Sequence, residues 1–314
     1  MQLEKWLEIW LEQYAKYKIK TKTYYLYQNM IRLHINPMLG LYELTDLNTE
    51  ILQNFVSQKI NHGNLLNGNP LSTNTILSIV SILKQALNYA IKLDFIKVNY
   101  FSNISIPRFL EKNIKSLTLE EQKKIEAYCL NSKKANHFGI ILCLYTGIRI
   151  GELLALRWED IDFEKKLLYI NHTITIMKNS DKIQWILGEP KTKKSKRVIP
   201  LPINILKELR KIKKKNQSKF VITTKKNKCV TIRSYQRTFE KILKKCNIPH
   251  QNFHSLRHTF ATRALESGMD IKTLSELLGH QDAMITLNRY AHSMLEYKMK
   301  AMNKLSKILN VCDC

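Results

Sequence analysis

Thr146-Gly147-Ile148-Arg149-Ile150-Gly151-Glu152-Leu153 reads as the end of one helix and the start of the next. Gly147 has no Cβ and can enter the left-handed region, which stops the first helix and lets a second begin almost at once. Arg149 is then carried by a tight turn. The device recurs at Leu278-Gly279-His280, where glycine closes a short helix, and Asp282 suits the N-cap of a following helix that carries Thr286, Leu287 and, near its end, Tyr290. Between the two glycine stops, His254-Ser255-Leu256-Arg257-His258 sets His254 and Arg257 three residues apart, on one face of a helix. A single target can touch both.

Outward from this region the chain stays mostly helical. Leu3, Trp6, Leu7, Trp10, Leu11 and Tyr14 follow the three-and-four spacing of an amphipathic helix, so folded structure is expected almost from the first residue, with no room before it for a further module. A second helix is expected from about Thr21 to before Pro37 and Gly40, and a third from about Asn48 to Ile60. After a glycine- and asparagine-rich loop, Ser72 can cap a long fourth helix with Ile76, Ile79, Val80, Leu83, Leu87, Ala90 and Ile91 on one stripe. This predicts a four-helix domain over residues 1–107. Residues 108–117 suit a linker, and Thr118 with Glu121 forms a capping-box pattern that restarts helix in a second domain, 118–314. There, Leu167 to Ile176 alternates and is rich in β-branched residues, with further strands expected near Ile183–Leu187 and Arg197–Ile199. The expected fold class is mainly α with a small antiparallel β-sheet in the second domain.

A chain of 314 residues with 44% hydrophobic content can bury two ordinary cores. Its 51 Lys and Arg against 26 Asp and Glu give a net charge of +25, which points to a polyanion partner. Residues 1–107 carry 10 basic and 7 acidic side chains and residues 108–314 carry 41 and 19, so the excess is +3 in the first part and +22 in the second. A single cluster such as Lys211-Ile212-Lys213-Lys214-Lys215 reads as solvated surface, but the sum over the domain does not. Six cysteines without a disulfide-framework spacing read as reduced thiols, and Cys312-Asp313-Cys314 makes a poor metal site. Charged residues interrupt the amino terminus, so it is no signal peptide, and no run of about 18 apolar residues offers a membrane span.

Arg149, Lys191, His254, Arg257, His280 and Tyr290 together suit metal-free phosphodiester chemistry, which needs a nucleophile, positive charge on the non-bridging oxygens and a proton for the departing oxygen. Tyrosine has a reference pKa near 10, so Tyr290 needs neighbouring positive charge to attack at neutral pH. Arg149 and Arg257 offer planar forks that match two phosphate oxygens. Lys191 lies in Glu189-Pro190-Lys191-Thr192-Lys193-Lys194-Ser195-Lys196-Arg197, read as a turn between two strands, where nearby arginines would lower its pKa towards that of a proton donor. Each residue also has a plain structural reading: Tyr290 as a buried helix tyrosine, a histidine as a core residue, Lys191 as part of a loop gripping backbone. For His258 and His292 the structural reading is preferred. Glu152 fits either a partner of the arginines or His280, or an exposed helix residue.

In kind and order, this set resembles the tyrosine recombinases of the phage-integrase family, whose catalytic half carries Arg, Lys, His-x-x-Arg, His or Trp, and Tyr. The resemblance implies a two-domain architecture, with residues 1–107 as a helical core-binding domain on DNA and residues 118–314 as the catalytic domain ending in an exchange helix. It implies that Tyr290 forms a 3′-phosphotyrosyl bond, that Lys191 protonates the 5′ oxygen, and that a Holliday junction is resolved by the same chemistry, with no cofactor and no metal. Choosing Lys191 over Lys193 or Lys194 rests on the Pro-Lys-Thr match to mobile-element integrases, as the long Asn171 to Pro190 excursion also does. The implied partners are double-stranded DNA and three further copies, a homotetramer on two duplexes joined through the apolar stripe Leu295, Met299, Met302, Leu305, Ile308 and Leu309. Accessory DNA-bending proteins are further candidates, and the implied location is the nucleoid in a bacterial cytoplasm. A type IB topoisomerase and a catalytically silent DNA-binding regulator are the alternatives.

Overall fold

A computed structural model of the chain describes residues 1–65, 67–106, 116–132, 134–179, 182–188, 195–224, 226–280, 282, 284, 287, 299, 302, 303, 305 and 306. The chain divides into two compact units, Met1–Lys112 with Met177–Gln184, and Asn113–Ile176 with Trp185–Cys314.

In the first unit, α1 (Leu3–Ile9) runs on as a wider π-helical segment, Trp10–Ala15, and buries Leu3, Trp6, Leu7, Trp10 and Leu11, the face expected from their spacing. Burying the Trp6 indole strands no donor, because its Nε1–H reaches Ala86 O at 3.0 Å. Helix α2 (Thr21–Met30) continues through a second π-helical segment, Ile31–Ile35, into α3 (Asn36–Leu39). Pro37 therefore does not end the helical run as expected. It lies in the first turn of α3, where a missing N–H costs nothing. Helix α4 (Thr49–His62) is capped by Asn48, whose Oδ1 accepts from Ile51 N–H at 3.0 Å, and α5 (Thr73–Lys92) by Ser72. The α5 stripe of Ile76, Ile79, Val80, Leu83, Leu87 and Ala90 closes the core.

The second unit opens with α6 (Leu119–Leu130), whose Thr118–Glu121 capping box forms in both directions. Helix α7 (Phe138–Thr146) is buried along almost its whole length and packs against α11 (Ser255–Glu266). Two α11 side chains tie down Leu117, the residue before the α6 cap: Thr259 Oγ1 accepts from Leu117 N–H at 2.9 Å, and an Arg263 Nη2–H donates to Leu117 O at 3.0 Å. Helices α8 (Ile150–Ala155), α9 (Ile203–Lys215), α10 (Ile232–Lys245) and α12 (Ile271–Leu278) belong to the same unit.

Strands form near Ile183–Leu187 and Arg197–Ile199 as expected, but the pairing and the first run differ. β1 (Ile161–Asp162), β2 (Leu167–Ile170) and β5 (Arg197–Pro200) form an antiparallel sheet in the order β1-β2-β5, with Ile170 opposite Arg197. β3 (Thr173–Asn179) and β4 (Lys182–Gly188) form a separate two-stranded sheet. The single run expected over Leu167 to Ile176 is broken at Asn171-His172, where Asn171 Nδ2–H turns to Asp160 Oδ1 at 2.9 Å. The segment that holds Lys191 thus joins two strands that pair with different neighbours.

Near the carboxy terminus, Met284, Leu287, Met299, Met302, Asn303, Leu305 and Ser306 are helical, and Asp282 Oδ1 accepts from Met284 N–H at 2.9 Å, in keeping with an N-cap at Asp282. Met299, Met302 and Leu305 are 61, 63 and 44% exposed. Cys129, Cys143, Cys229 and Cys246 are free thiols, while Cys312 and Cys314 lie outside the described residues. Among the described residues no helix is long and apolar enough to cross a membrane.

Candidate active site

Two left-handed glycines set the site. Gly147 (φ 63°) ends α7, and a Cβ placed there would lie 2.4 Å from Phe260 Cδ1 and 2.9 Å from Leu278 Cδ2, so both its conformation and its surroundings require glycine. Two residues on, Arg149 takes the extended N-cap conformation of α8. Glu152, at the third position of that helix, accepts from Arg149 N–H at 2.9 Å and from its Nη1–H at 2.8 Å. The guanidinium is thereby held beside the turn, partly exposed.

Gly279 (φ 63°) ends α12 in a Schellman motif: Gly279 N–H bonds Glu276 O at 3.0 Å and His280 N–H bonds Ser275 O at 3.1 Å. That motif leaves the next three carbonyls, Leu277, Leu278 and Gly279, without an intrahelical donor. Each receives an arginine from a different element. Arg197 Nε–H, from β5, donates to Leu277 O. Arg257 Nη2–H, from α11, donates to Leu278 O at 2.6 Å while its Nη1–H donates to Gly147 O at 2.7 Å. Arg149 Nη2–H, from the start of α8, donates to Gly279 O at 3.2 Å. The two glycine turns and three guanidinium groups are thus one assembly, immediately before His280.

Glu152 is the counter-charge. It is 3% exposed, and Arg197 grips it through two nitrogens, Nη1 to Oε1 at 3.1 Å and Nη2 to Oε2 at 2.9 Å. Burial alone would push its carboxyl up, but the charge and hydrogen bonds of Arg197, and then those of Arg149, hold its pKa at about 2. The reading of Glu152 as an exposed helix residue is thereby corrected.

Of the six residues expected from sequence, Arg149, Arg257 and His280 meet at the end of α12. Arg257 is 2% exposed, so its guanidinium is set deep in the unit. His254 begins α11, exposed, with its ring edge-on to the buried His258 at 4.7 Å between centroids. Lys191 and Tyr290 lie outside the described residues. Arg197 and its double grip on Glu152 were missed by the sequence reading. One signal was available: Arg197 shares a strand face with Ile199, and an arginine on a core face needs a carboxylate. Among the described residues no group of three or more His, Cys, Asp or Glu side chains is placed to hold a metal ion. Two arginines beside His280 in this arrangement can bind a phosphate and exchange protons with it.

Residues 114–296 match the model described as the phage integrase family, residues 2–60 that of the phage integrase N-terminal SAM-like domain, and residues 41–106 that of the phage integrase SAM-like domain. A tyrosine recombinase XerC-like protein of Caldanaerobacter subterraneus is 31% identical over 328 residues, covering 96% of this chain and 82% of its own length. The transposase from transposon Tn916 of Enterococcus faecalis is 30% identical over 254 residues, covering 74% of this chain and 62% of the transposase. Among solved structures, the Tn1549 transposon integrase in complex with a circular intermediate DNA has a TM-score of 0.81 at 23% identity, over 97% of this chain and 99% of that one. A lambda integrase tetramer bound to a Holliday junction has a TM-score of 0.67 at 23% identity, over 90% of this chain and 78% of that one. At these identities the two structures speak for the fold.

Proposed function

Because the chain belongs to the phage integrase family, we propose that Arg149, Lys191, His254, Arg257, His280 and Tyr290 act as one phosphotransfer centre of a tyrosine recombinase. The chain is a DNA recombinase of this class, with a mainly helical fold and small antiparallel sheets. In the proposed route the Tyr290 oxygen attacks phosphorus and the 5′ oxygen leaves with a proton from Lys191. The 3′-phosphotyrosyl bond then holds the energy of the broken linkage until the 5′ hydroxyl of a partner strand attacks it. Arg149 and Arg257 would neutralise the non-bridging oxygens, with His280 bonding to phosphate and His254 handling protons. What carries this reading is the seating of Arg149 and Arg257 on adjacent carbonyls beside His280, although 131 positions separate Arg149 from His280 in the chain.

The element-borne branch is favoured over a chromosome resolvase by the long excursion before Lys191, which β3 and β4 occupy, and by the likeness to the Tn916 transposase. A cyclic tetramer on two duplexes is supported by the exposed Met299, Met302 and Leu305, a stripe whose apolar surface calls for a partner. The deciding experiment is Tyr290→Phe on a nicked suicide duplex. It keeps the ring and removes the attacking oxygen, so DNA affinity should persist while covalent adducts disappear. Normal adduct yield from that variant would remove Tyr290 from the mechanism.

A further inference from the structure

Arg197 stands outside the six-residue set, yet it is bound to Glu152, to the end of α12 and to the segment before β5. Its Nε–H donates to Leu277 O, its Nη1 to Glu152 Oε1 at 3.1 Å and Ser195 O at 3.3 Å, and its Nη2 to Glu152 Oε2 at 2.9 Å. Four of its five N–H groups are engaged in this way, which leaves one for any other partner, and its side chain is 5% exposed. Arg149 depends on the same carboxylate. Its Nη1–H shares Oε1 with Arg197, and its backbone N–H shares Oε2.

We propose that Arg197 is a positioning residue for strand cleavage: by fixing both oxygens of Glu152 and the end of α12 in one frame, it gives the Arg149 guanidinium a single orientation towards the scissile phosphate. The proposal rests on the recombinase reading above. Without Arg197, Glu152 keeps Arg149 as its one ionic partner among the described residues, and the carboxylate can turn about its own bonds and take the guanidinium with it. Lysine restores the charge but not the effect, because one ammonium cannot span both carboxylate oxygens and Leu277 O together. Arg197 also anchors the point at which the chain enters β5 after the basic segment with Lys191, so the same bonds set where that segment ends.

The test uses the full chain on a nicked suicide duplex, with DNA affinity and the rate of covalent adduct formation measured from pH 5 to 8. R197K is expected to remain folded by thermal melting and to bind DNA within about twofold of the unaltered protein. Its adducts should form about 100-fold more slowly, the scale of a misplaced reacting group. The rate of R197M, which loses the charge as well, should also fall on the acid side, where Glu152 takes up a proton once the charge that most lowers its pKa is gone, and adding E152Q should remove that acid limb. A merely structural arginine would lower the melting temperature without creating it. If R197K does not fold, E152Q/R197M removes the buried charge together with its partner and is expected to bind DNA normally and cleave slowly. Cleavage at the unaltered rate and pH profile by either folded variant overturns the proposal. Absence of adducts with the unaltered protein would instead reject the recombinase reading.

Discussion

At the scale of single residues, the site depends on positions where no other side chain can stand. Gly147→Ala must hold alanine at φ 63° against Phe260 and Leu278, and the left-handed backbone alone costs about 1–2 kcal/mol. The carbonyl that holds Arg257 moves with it. We expect a lower denaturant midpoint and a larger loss in adduct formation than in DNA affinity; an unchanged midpoint would show that the turn tolerates a Cβ. Gly147 and Gly279 were legible in the sequence because the need for positive φ is local to the glycine itself. Arg197 was not, because its meaning lies in the register that sets it opposite Ile170 and in a carboxylate 45 positions away. Glu152 stood undecided for the same reason: i+3 spacing explains its bond to Arg149, but nothing nearby in the chain announces Arg197.

At the scale of elements, the helices were legible and the sheets only partly so. The caps at Ser72 and Thr118 form as expected because a cap and its target N–H are only three residues apart. Strand existence was also readable from alternation, but pairing is not a property of one segment. The two-residue break at Asn171-His172 splits one expected sheet into two because Asn171 is drawn to Asp160. Pro37 misled for a different reason: it stops a helix entered from its amino-terminal side and starts one equally well. The carboxy-terminal stripe makes its prediction at this scale. With Met299, Met302 and Leu305 solvent-exposed in the single chain, truncation after Ser293 should leave single-site DNA binding largely intact and abolish synapsis. Tetrameric synapses of the truncated protein, seen by light scattering or native gel, would show that another surface joins the protomers.

At the scale of the whole molecule, charge is divided: residues 108–314 carry an excess of +22 and residues 1–107 only +3. DNA affinity should therefore fall steeply as salt rises, each neutralised phosphate adding about 0.9 to the slope of log affinity against log salt. A flat response in a filter-binding titration would contradict an extensive phosphate interface. The end of α12 adds something that a net charge does not describe. The aligned peptide dipoles of a helix place about half a negative charge at its carboxyl terminus. Here that half charge and the carboxylate of Glu152 face three guanidinium groups, so the cradle keeps a surplus of roughly one and a half positive charges. A resting phosphodiester brings a single negative charge and cancels only part of that surplus. The remainder meets no opposite charge until phosphorus becomes five-coordinate and its oxygens gather a second one, so under the proposed chemistry the excess is felt most strongly in the transition state.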